Sequence, residues 1–276
     1  MKRVGIIYHP KIAAAGALAE DLAGFLPSLG VSVWRCSAWE EGEVRACLGG
    51  TELVLSIGGD GTILRAARAV VAGAIPIVGI NLGTLGFMTE LSVDDVREKL
   101  PAFLDGEGWI DERAMLQVEL MRAGKHVCPP FDALNDVVVG RGAISRVVRV
   151  DAIIDGAFLT TYKADGVILA TATGSTGYSL AAGGPILYPQ ARGMLLNPIS
   201  PHPGYANPVL LPPSANVELK IHTDHQAMLS IDGQVDLEIE SGDTIRARLS
   251  PHVTRFLRAR PPAFFYSSLM QRLGRR

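Results

Sequence analysis

The sequence has few cysteines, no strong excess of charge and no long uninterrupted apolar segment. Its three cysteines, Cys36, Cys47 and Cys128, are an odd number and form no CxxC pair. This usage is typical of a reducing cytoplasm, so we expect a cytoplasmic protein without disulfides. The formal net charge of the 276 residues is −2. Because this gives no basic surface overall, we expect no nucleic-acid partner.

Membrane-spanning and secretory patterns are also missing. Two uncharged runs, residues 69–89 and 166–191, are interrupted by glycine, proline and asparagine or by threonine, serine and glycine. Such breaks would need internal partners in a bilayer, so neither run is predicted to cross a membrane. Lys2 and Arg3 precede an alanine-rich stretch, but Glu20 follows too soon for a signal peptide. We therefore expect a soluble protein.

Residues 1–110 alternate between strand-like and helix-like segments. Short β-rich runs are found at residues 3–9, 31–36, 53–57 and 75–81, and helical patterns at 12–29, at 62–71 and from Ser92 onwards. Thr62 and Ser92 are predicted as the N-caps of the last two helices. Strands that alternate with helices predict a parallel sheet covered on both faces, which is a Rossmann-like α/β domain.

Residues 111–250 consist mainly of short β-branched runs separated by turn residues. Asp155 and Gly156 lie between two apolar runs and predict a hairpin with a type I′ turn. These features predict an all-β domain of the β-sandwich type after the α/β domain. Residues 251–276 predict a short basic segment that packs back on the first domain. The charges of residues 258–276 are predicted to lie on a solvated helix face.

The segment SIGGDGT, residues 56–62, follows a buried strand and precedes a helix. Ligands of parallel α/β sheets bind at this edge, where glycine backbone and a helix start can approach phosphate. Asp60 would repel phosphate, so it indicates Mg²⁺ binding or removal of a proton from a hydroxyl nucleophile. A glycine-rich turn with a capping aspartate is the alternative for this motif alone. The candidate phosphate-donor loop consists of Gly58, Gly59, Gly61 and Thr62.

Three further features could carry binding. Gly83 and Gly86, in NLGTLGFMTE, would allow a second loop to lie close to the first, although such a loop alone is more typical of a plain βα turn. The segment KADGVILATATGSTGYSLAAGGPI, residues 163–186, offers hydroxyls, backbone donors and the ring of Tyr178, which suit a base edge and a ribose. Asn135 could contact an adenine edge and Asp136 a ribose hydroxyl, although an Asn-Asp pair alone is more typical of a turn cap.

Two other patterns give weaker signals. Arg65, one turn into the helix after Asp60, could offer its charge to a phosphate, but a solvated helix face is the alternative. His222 and His225 are expected on opposite sides of a strand end, and no third ligand follows at metal spacing. We therefore assign no metal ligand to the protein from the sequence.

With these loops in this order, the chain resembles the ATP/polyphosphate-NAD kinase family. The resemblance runs over nearly the full length, to SIDGQ at residues 230–234. Loops similar to GGDG also occur in diacylglycerol kinases, sphingosine kinases and 6-phosphofructokinases, whereas the Thr/Gly/Ser/Tyr segment is far more specific to NAD kinases. The resemblance implies phosphorylation of the adenosine ribose 2′-hydroxyl of NAD, with ATP or polyphosphate as donor and Mg²⁺ as the divalent metal. It also implies a homodimer or homotetramer.

The resemblance assigns roles to individual residues. Asp60 matches the family's general base. Asn135 and Asp136 match the pair of residues that holds adenine and ribose, and Asp165 matches the acidic residue on the nicotinamide side. The NAD-binding positions that it implies are Asp60, Gly61, Arg65, Asn135, Asp136, Arg146, Lys163, Asp165, Thr173, Thr176, Gly177, Tyr178, Ser179, Ala206 and Gln234.

Several positions depart from the family pattern. The family commonly has TPTGSTAYS, whereas Ala172 and Gly177 here replace its proline and alanine. Asn207 stands where the family often has arginine, and Lys163 keeps the charge of a frequent arginine without its bidentate fork. The alternatives are a lipid or sphingoid-base kinase, which would need an apolar acceptor pocket, and a non-catalytic NADP(H) sensor. The polar segment 173–179 argues against the first alternative, and the presence of Asp60 argues against the second.

Overall fold

A computed structural model describes residues 1–83, 85–142, 146–202 and 207–274. The chain divides into two compact units. The first unit comprises Met1–Glu112 and Thr254–Arg276, and the second comprises Arg113–Val253. No helix in the described part of the chain combines the length and apolar character needed to cross a bilayer.

The first unit is built on a parallel sheet. Its strands are β1 (Arg3–Tyr8), β2 (Ser32–Ser37), β3 (Leu53–Ile57), β4 (Ile77–Asn81) and β5 (Thr89–Ser92), and its helices are α1 (Ala13–Phe25), α2 (Glu41–Cys47), α3 (Asp60–Val70), α4 (Val96–Leu104) and α6 (Phe264–Leu273). The sheet order is β4-β3-β1-β2, with β5 beside β4. Every residue of β3 and β4 is buried, as expected for central strands covered on both faces. The predicted Rossmann-like α/β domain is confirmed.

Both predicted helix caps are wrong. α3 begins at Asp60 with Gly59 as its N-cap, so Thr62 lies within the first turn. α4 begins at Val96 with Asp95 as its N-cap. Ser92 instead ends β5 and donates its N–H to Asp95 Oδ1 at 2.7 Å. Ser92 is taken up by the end of a strand, and the helix of Asp60 already begins after Gly59, so local capping preference decides neither helix start.

The second unit is an antiparallel sandwich. Its strands are β6 (Trp109–Arg122), β7 (Lys125–His126), β8 (Phe131–Ala133), β9 (Asp136–Arg141), β10 (Val148–Ile154), β11 (Ala157–Ala164), β12 (Gly166–Ala170), β13 (Met194–Ile199), β14 (Val209–Leu211), β15 (Val217–His222), β16 (Ala227–Ile231), β17 (Val235–Ile239) and β18 (Thr244–Arg258), and α5 (Tyr178–Ala181) follows β12. One sheet has the order β11-β10-β15-β18 and also contains β6, and the other has the order β14-β13-β12-β9-β16-β17. Residues of both sheets share one hydrophobic core. The long strands β6 and β18 each have residues in both units.

Two tight hairpins of the sandwich use an Asp-Gly pair. Asp155 and Gly156 join β10 to β11 with φ of 49° and 80°, which confirms the predicted type I′ turn. Asp232 and Gly233 join β16 to β17 with φ of 52° and 61°. The second turn brings the carboxylate of Asp232 into the candidate site.

Candidate functional site

Asp60 begins α3 and is fixed by the loop that follows β4. Its Oδ2 atom accepts a hydrogen bond from the Phe87 N–H at 2.9 Å, and its Oδ1 atom accepts one from the Met88 N–H at 3.1 Å. A Cβ at Gly86 would lie 2.3 Å from Asp60 Oδ1, so glycine is needed there. The two glycine-rich loops of the first unit therefore meet, as predicted, and two backbone donors orient the Asp60 carboxylate.

The loop of residues 58–62 has an open and an enclosed side. Gly59 and Gly61 are exposed, and a Cβ built at either would meet no atom within 4 Å. Gly58 has a φ of 151°, and a Cβ there would lie 2.4 Å from the buried Thr62 Oγ1. Space for a ligand thus lies on the side of Gly59 and Gly61, beside the N-terminus of α3.

The two arginines of α3 have partners within the first unit. The Arg65 Cζ atom lies 4.4 Å from the centre of the Trp39 ring. Burial, and then the charge of Arg68, lower the pKa of Arg65. Arg68 forms an ion pair with Glu41 at 2.8 Å. Arg65, a predicted phosphate contact, therefore stacks on an indole.

A buried arginine supports the loop that holds Asp60. Arg258, at the end of β18, is 6% exposed and donates from Nη1 to the Met88 carbonyl oxygen at 2.8 Å. It also lies 3.2 Å from Asp111 Oδ2 and 3.4 Å from Glu90 Oε2. The prediction of a solvated face is wrong for Arg258, because it ends a strand and two buried carboxylates surround it. Met88 thus bonds Asp60 through its N–H and Arg258 through its carbonyl oxygen.

In the second unit, one carboxylate organises the predicted Asn-Asp pair. Asp232 accepts hydrogen bonds from the backbone N–H groups of Leu134 at 2.9 Å, Asn135 at 2.7 Å and Asp136 at 3.1 Å. Sequence reasoning missed Asp232 as a site residue. Its signal was the Asp-Gly pair within SIDGQ, which marks a hairpin turn but not the segment that the turn would contact.

The Asp136 carboxyl is itself buried, at 5% exposure. Burial, and secondly the negative charge of Asp232, raise the pKa of Asp136 to about 7. The neighbouring Asn135 Oδ1 atom is buried and has no hydrogen-bond partner among the described residues. A buried acceptor without a donor is unfavourable in the free protein and indicates that a ligand can supply the donor.

The Thr/Gly/Ser loop packs directly on Asn135. The Thr171 N–H donates to the Asn135 carbonyl oxygen at 2.8 Å, and a Cβ at Gly174 would lie 2.0 Å from that oxygen. A Cβ at Gly177 would lie 3.8 Å from Asn135 Nδ2 and 3.9 Å from Asp136 Oδ2. The structure therefore brings the loop and the Asn-Asp pair together. Gln234 lies just beyond Asp232, at the end of the same turn.

The hydroxyls of this loop mostly bond within the second unit. Thr173 Oγ1 accepts from Arg113 at 3.3 Å, and Thr176 Oγ1 donates to the Thr173 carbonyl oxygen at 3.2 Å. Ser179 is fully buried, and its Oγ lies 3.3 Å from Asn197 Nδ2. Tyr178, by contrast, is 47% exposed. The ring of Tyr178 is therefore the side chain that this loop offers to a ligand.

The remaining predicted residues of the second unit lie at two separate cavities. Asp165 and Tyr178 line one of about 380 Å³, where Asp165 Oδ1 lies 3.4 Å from Arg141 Nε. Arg146 and Lys163 line another of about 670 Å³. Ala206 lies outside the described residues.

The larger cavity corrects the expectation for the two histidines. His222 and His225 both line it and do not face opposite sides, because the strand ends at His222 and the chain turns there. His222 Nε2 lies 2.8 Å from Asp151 Oδ2. Within the described ranges, no three His, Cys, Asp or Glu side chains are grouped as metal ligands would be.

Comparison with known proteins places these features in a family. The model of the ATP-NAD kinase N-terminal domain matches residues 11–108, and that of the ATP-NAD kinase C-terminal domain matches residues 134–259. An NAD kinase of Dehalococcoides mccartyi is 47% identical over 272 residues, which cover 99% of this chain and 96% of the relative. An NAD kinase of Chloroflexus aurantiacus is 39% identical over 275 residues, 100% of this chain and 99% of the relative.

Solved structures share the fold. Yeast NADH kinase, complexed with NADH, aligns with a TM-score of 0.84 at 24% identity over 99% of this chain and 88% of that chain. An NAD kinase from Archaeoglobus fulgidus, in complex with ATP, aligns with a TM-score of 0.80 at 23% identity over 99% of this chain and 98% of that chain. Because the sequence identities are this low, the likeness shows the fold alone. That fold agrees with the parallel α/β unit and the antiparallel sandwich described above.

Proposed function

The chain belongs to the NAD kinase family, and we propose that it transfers the terminal phosphoryl group of ATP to the adenosine ribose 2′-hydroxyl of NAD, giving NADP. The observation that carries this proposal is the placement of Asp60. Its carboxylate begins α3, is held by the amides of Phe87 and Met88, and adjoins the open glycine loop. The ATP complex of the similar Archaeoglobus fulgidus enzyme supports ATP as the donor.

Asp60 is proposed as the general base. Each of its oxygens accepts one backbone N–H, which fixes the carboxylate plane and leaves lone pairs for a further donor. The 2′-hydroxyl can donate to one of them and lose its proton there as its oxygen attacks phosphorus. A positioned base of this kind contributes roughly 10²–10⁴-fold to the rate.

The donor phosphates are proposed to lie against Gly59 and Gly61. The exposed glycine backbone and the first turn of α3 supply N–H groups and a favourable dipole for an anion. Mg²⁺ is proposed to arrive on the ATP phosphates and to neutralise their charge. The donor set fits a substrate-borne ion, because the described residues group no three carboxylate, histidine or cysteine ligands and Mg²⁺ needs few protein ligands when phosphates bind it.

The adenosine end of NAD is proposed to bind at Asn135 and Asp136. The buried Asn135 Oδ1, which has no partner in the described chain, suits the amino group of adenine. An ionised Asp136 suits the ribose hydroxyls, and the exposed Tyr178 offers a face for stacking. Asp165 is proposed on the nicotinamide side. Arg146, Lys163, Ala206 and Gln234 are proposed as further contacts to the dinucleotide.

The function is tested by measuring NADP formation with NAD or NADH as acceptor and with ATP or polyphosphate as donor. Formation of NADP from NAD with ATP supports the proposal, and the other three combinations define whether NADH and polyphosphate are also used. Tight binding of NADP(H) without turnover would identify a sensor. Phosphorylation of diacylglycerol or a sphingoid base in place of NAD would identify a lipid kinase.

We also propose that the enzyme is cytoplasmic and acts in NADP synthesis as a homodimer or homotetramer. The three unpaired cysteines, Cys36, Cys47 and Cys128, support a reducing compartment. Light scattering of the purified protein measures the oligomeric state, and a monomer at micromolar concentration would contradict the proposed assembly.

A further inference from the structure

Phosphoryl transfer needs positive charge beside the transferred group, and the SIGGDGT loop contains no lysine or arginine. P-loop enzymes supply this charge from a lysine within their loop. Among the arginines of the first unit near Asp60 in sequence or space, Arg65 stacks on Trp39, Arg68 pairs with Glu41, and Arg258 is surrounded by two carboxylates. These three arginines therefore already have partners, and the loop itself supplies no cationic side chain.

Arg272, on α6, occupies a suitable place. Its Cζ atom lies 5.7 Å from the centre of the Phe87 ring and 5.7 Å from that of Phe264. Phe87 is also the residue whose N–H holds Asp60 Oδ2. The guanidinium and the carboxylate thus approach different parts of one residue, its ring and its amide.

Arg272 is a poorly compensated charge. It forms no ion pair or hydrogen bond with any described residue, and its Nε atom is buried without an acceptor. Burial, followed by repulsion from Arg258, lowers the pKa of Arg272 to about 10, and the nearby Asp60 opposes this decrease. The side chain therefore remains charged at neutral pH. A partly buried guanidinium that forms no ion pair or hydrogen bond with a described residue is unfavourable, and such groups often mark functional sites.

We propose that Arg272 is a catalytic residue that binds the non-bridging oxygens of the phosphoryl group during transfer. The inference rests on the proposed function. The ribose O2′ forms a bond to the terminal phosphorus while the bond from that phosphorus to the β–γ bridging oxygen breaks. The bond's electron pair leaves with ADP, and the 2′-hydroxyl proton passes to Asp60. Arg272 exchanges no proton and stabilises charge that spreads over the phosphoryl oxygens.

A purely structural role for Arg272 predicts different behaviour. Two aromatic rings flank the guanidinium, so the side chain could serve only to pack α6 through cation–π contacts. Loss of packing would lower the melting temperature and would affect NAD binding and turnover together. Loss of a phosphoryl contact would lower kcat while the folded protein and its NAD site remain intact.

The test compares Arg272→Gln, Arg272→Lys and the exposed neighbour Gln271→Ala. We expect Arg272→Gln to lower kcat by about 10³-fold, as for arginines that contact a transferred phosphoryl group. Because the lost contact is made to the phosphoryl group and not to NAD, the KM for NAD should stay within about threefold of the wild-type value. Arg272→Lys keeps the charge, so its kcat should be at least about tenfold higher than that of Arg272→Gln. Gln271→Ala should match the wild type. Added ethylguanidinium should partly restore turnover to Arg272→Gln.

Each result bears on one of the two proposals. If the wild type forms no NADP, the proposed function fails and the role of Arg272 fails with it. If the wild type is active and Arg272→Gln keeps kcat within about threefold, the inference alone is overturned. Equal losses in the lysine and glutamine variants, with lowered melting temperatures and no rescue by ethylguanidinium, would also overturn it in favour of packing.

Discussion

Asp232 accepts a hydrogen bond from the backbone N–H of Asp136 while its negative charge raises the pKa of the Asp136 carboxyl. One aspartate therefore positions the other and also holds it close to its titration point. The pKa of Asp136 is about 7, so this carboxyl changes its charge within the physiological range. Burial is the larger cause of the shift, and the contribution of Asp232 can be removed by substitution.

The first prediction concerns the general base. Asp60→Asn keeps the shape of the side chain but cannot take a proton and loses one of its two backbone hydrogen bonds, so kcat for NADP formation should fall by about 10²–10⁴-fold or more. The dissociation constant for NAD, measured by titration calorimetry, should stay within a few-fold. Asp105→Asn, at an exposed helix end of the same unit, serves as the control. Wild-type turnover by Asp60→Asn would refute the assignment of the base.

The second prediction concerns protein stability and pH. The pKa of Asp136 in the folded protein, about 7, lies above its ordinary value of 3.8. The folded state therefore holds the proton more tightly, and the free energy of unfolding should decrease as the pH rises from about 4 to about 7. Urea denaturation of Asp136→Asn should lack this decrease, and at pH 8 the variant should be more stable than the wild type by a few kcal/mol, since each pKa unit corresponds to about 1.4 kcal/mol. If the free energy of unfolding of Asp136→Asn decreased with pH as it does in the wild type, Asp136 would not be the group responsible.

The third prediction concerns NAD affinity. If ribose hydroxyls donate to ionised Asp136, protonation competes with binding, and NAD should bind about tenfold more weakly at pH 6 than at pH 8. Calorimetric titration at both pH values measures the ratio. Asp136→Asn should bind NAD with little dependence on pH in this range. A tenfold ratio that persists in the variant would show that another group is responsible.

The fourth prediction separates two glycines of one loop. Gly174→Ala would put Cβ 2.0 Å from the Asn135 carbonyl oxygen, so the loop must move and NAD affinity should fall by at least tenfold, about 1.4 kcal/mol. Gly177→Ala restores the residue common in the family, and its Cβ would meet nothing closer than 3.2 Å. We expect Gly177→Ala to bind NAD within about threefold of the wild type, less than 1 kcal/mol. Similar affinities for the two variants would contradict this account of the loop.

The fifth prediction concerns the aspartate that holds the Asn-Asp segment. Asp232→Asn tolerates the positive φ but loses the charge that three N–H groups contact. At pH 5.5 Asp136 is protonated, so repulsion between the two carboxyls does not mask the loss. The free energy of unfolding should then fall by about 1.5–3 kcal/mol. Asp155→Asn, in the other Asp-Gly hairpin, touches only solvent-exposed donors of Asn216, so it should change the free energy of unfolding by less than about 1 kcal/mol. Equal effects of the two substitutions would contradict the role of Asp232.

The sequence was informative where local pattern determines the structure. Alternation of strands and helices predicted the parallel sheet, and the Asp155-Gly156 pair predicted its hairpin, because both depend on neighbours along the chain. For the same reason, the sequence predicted that the loop of Asp60 follows a buried strand and precedes a helix. The composition of residues 173–178 also predicted a polar loop, and the structure places it on Asn135.

Contacts between distant segments could not be predicted in this way. Arg258 bonds the carbonyl oxygen of Met88 from 170 positions away, and Asp232 bonds Asn135 from 97 positions away. An arginine in a basic segment gives no local sign that buried carboxylates surround it. Helix starts were mispredicted at Thr62 and Ser92 because glycine geometry and a strand end outweigh capping preference. These are tertiary effects that a single sequence pattern does not encode.

The composition of the first unit from two separated stretches has a consequence for folding during synthesis. Residues Met1–Glu112 leave the ribosome first, but the unit also needs the stretch from Thr254 onwards, which includes Arg258. Contacts of such long sequence separation form slowly. Until translation reaches Arg258, the Met88 carbonyl lacks its buried donor, and the segment that orients Asp60 is incomplete. We therefore expect a nascent chain stopped before Thr254 to form no NADP, because Asp60 is not yet held in place, and we expect activity to appear only after the stretch with Arg258 has been synthesised.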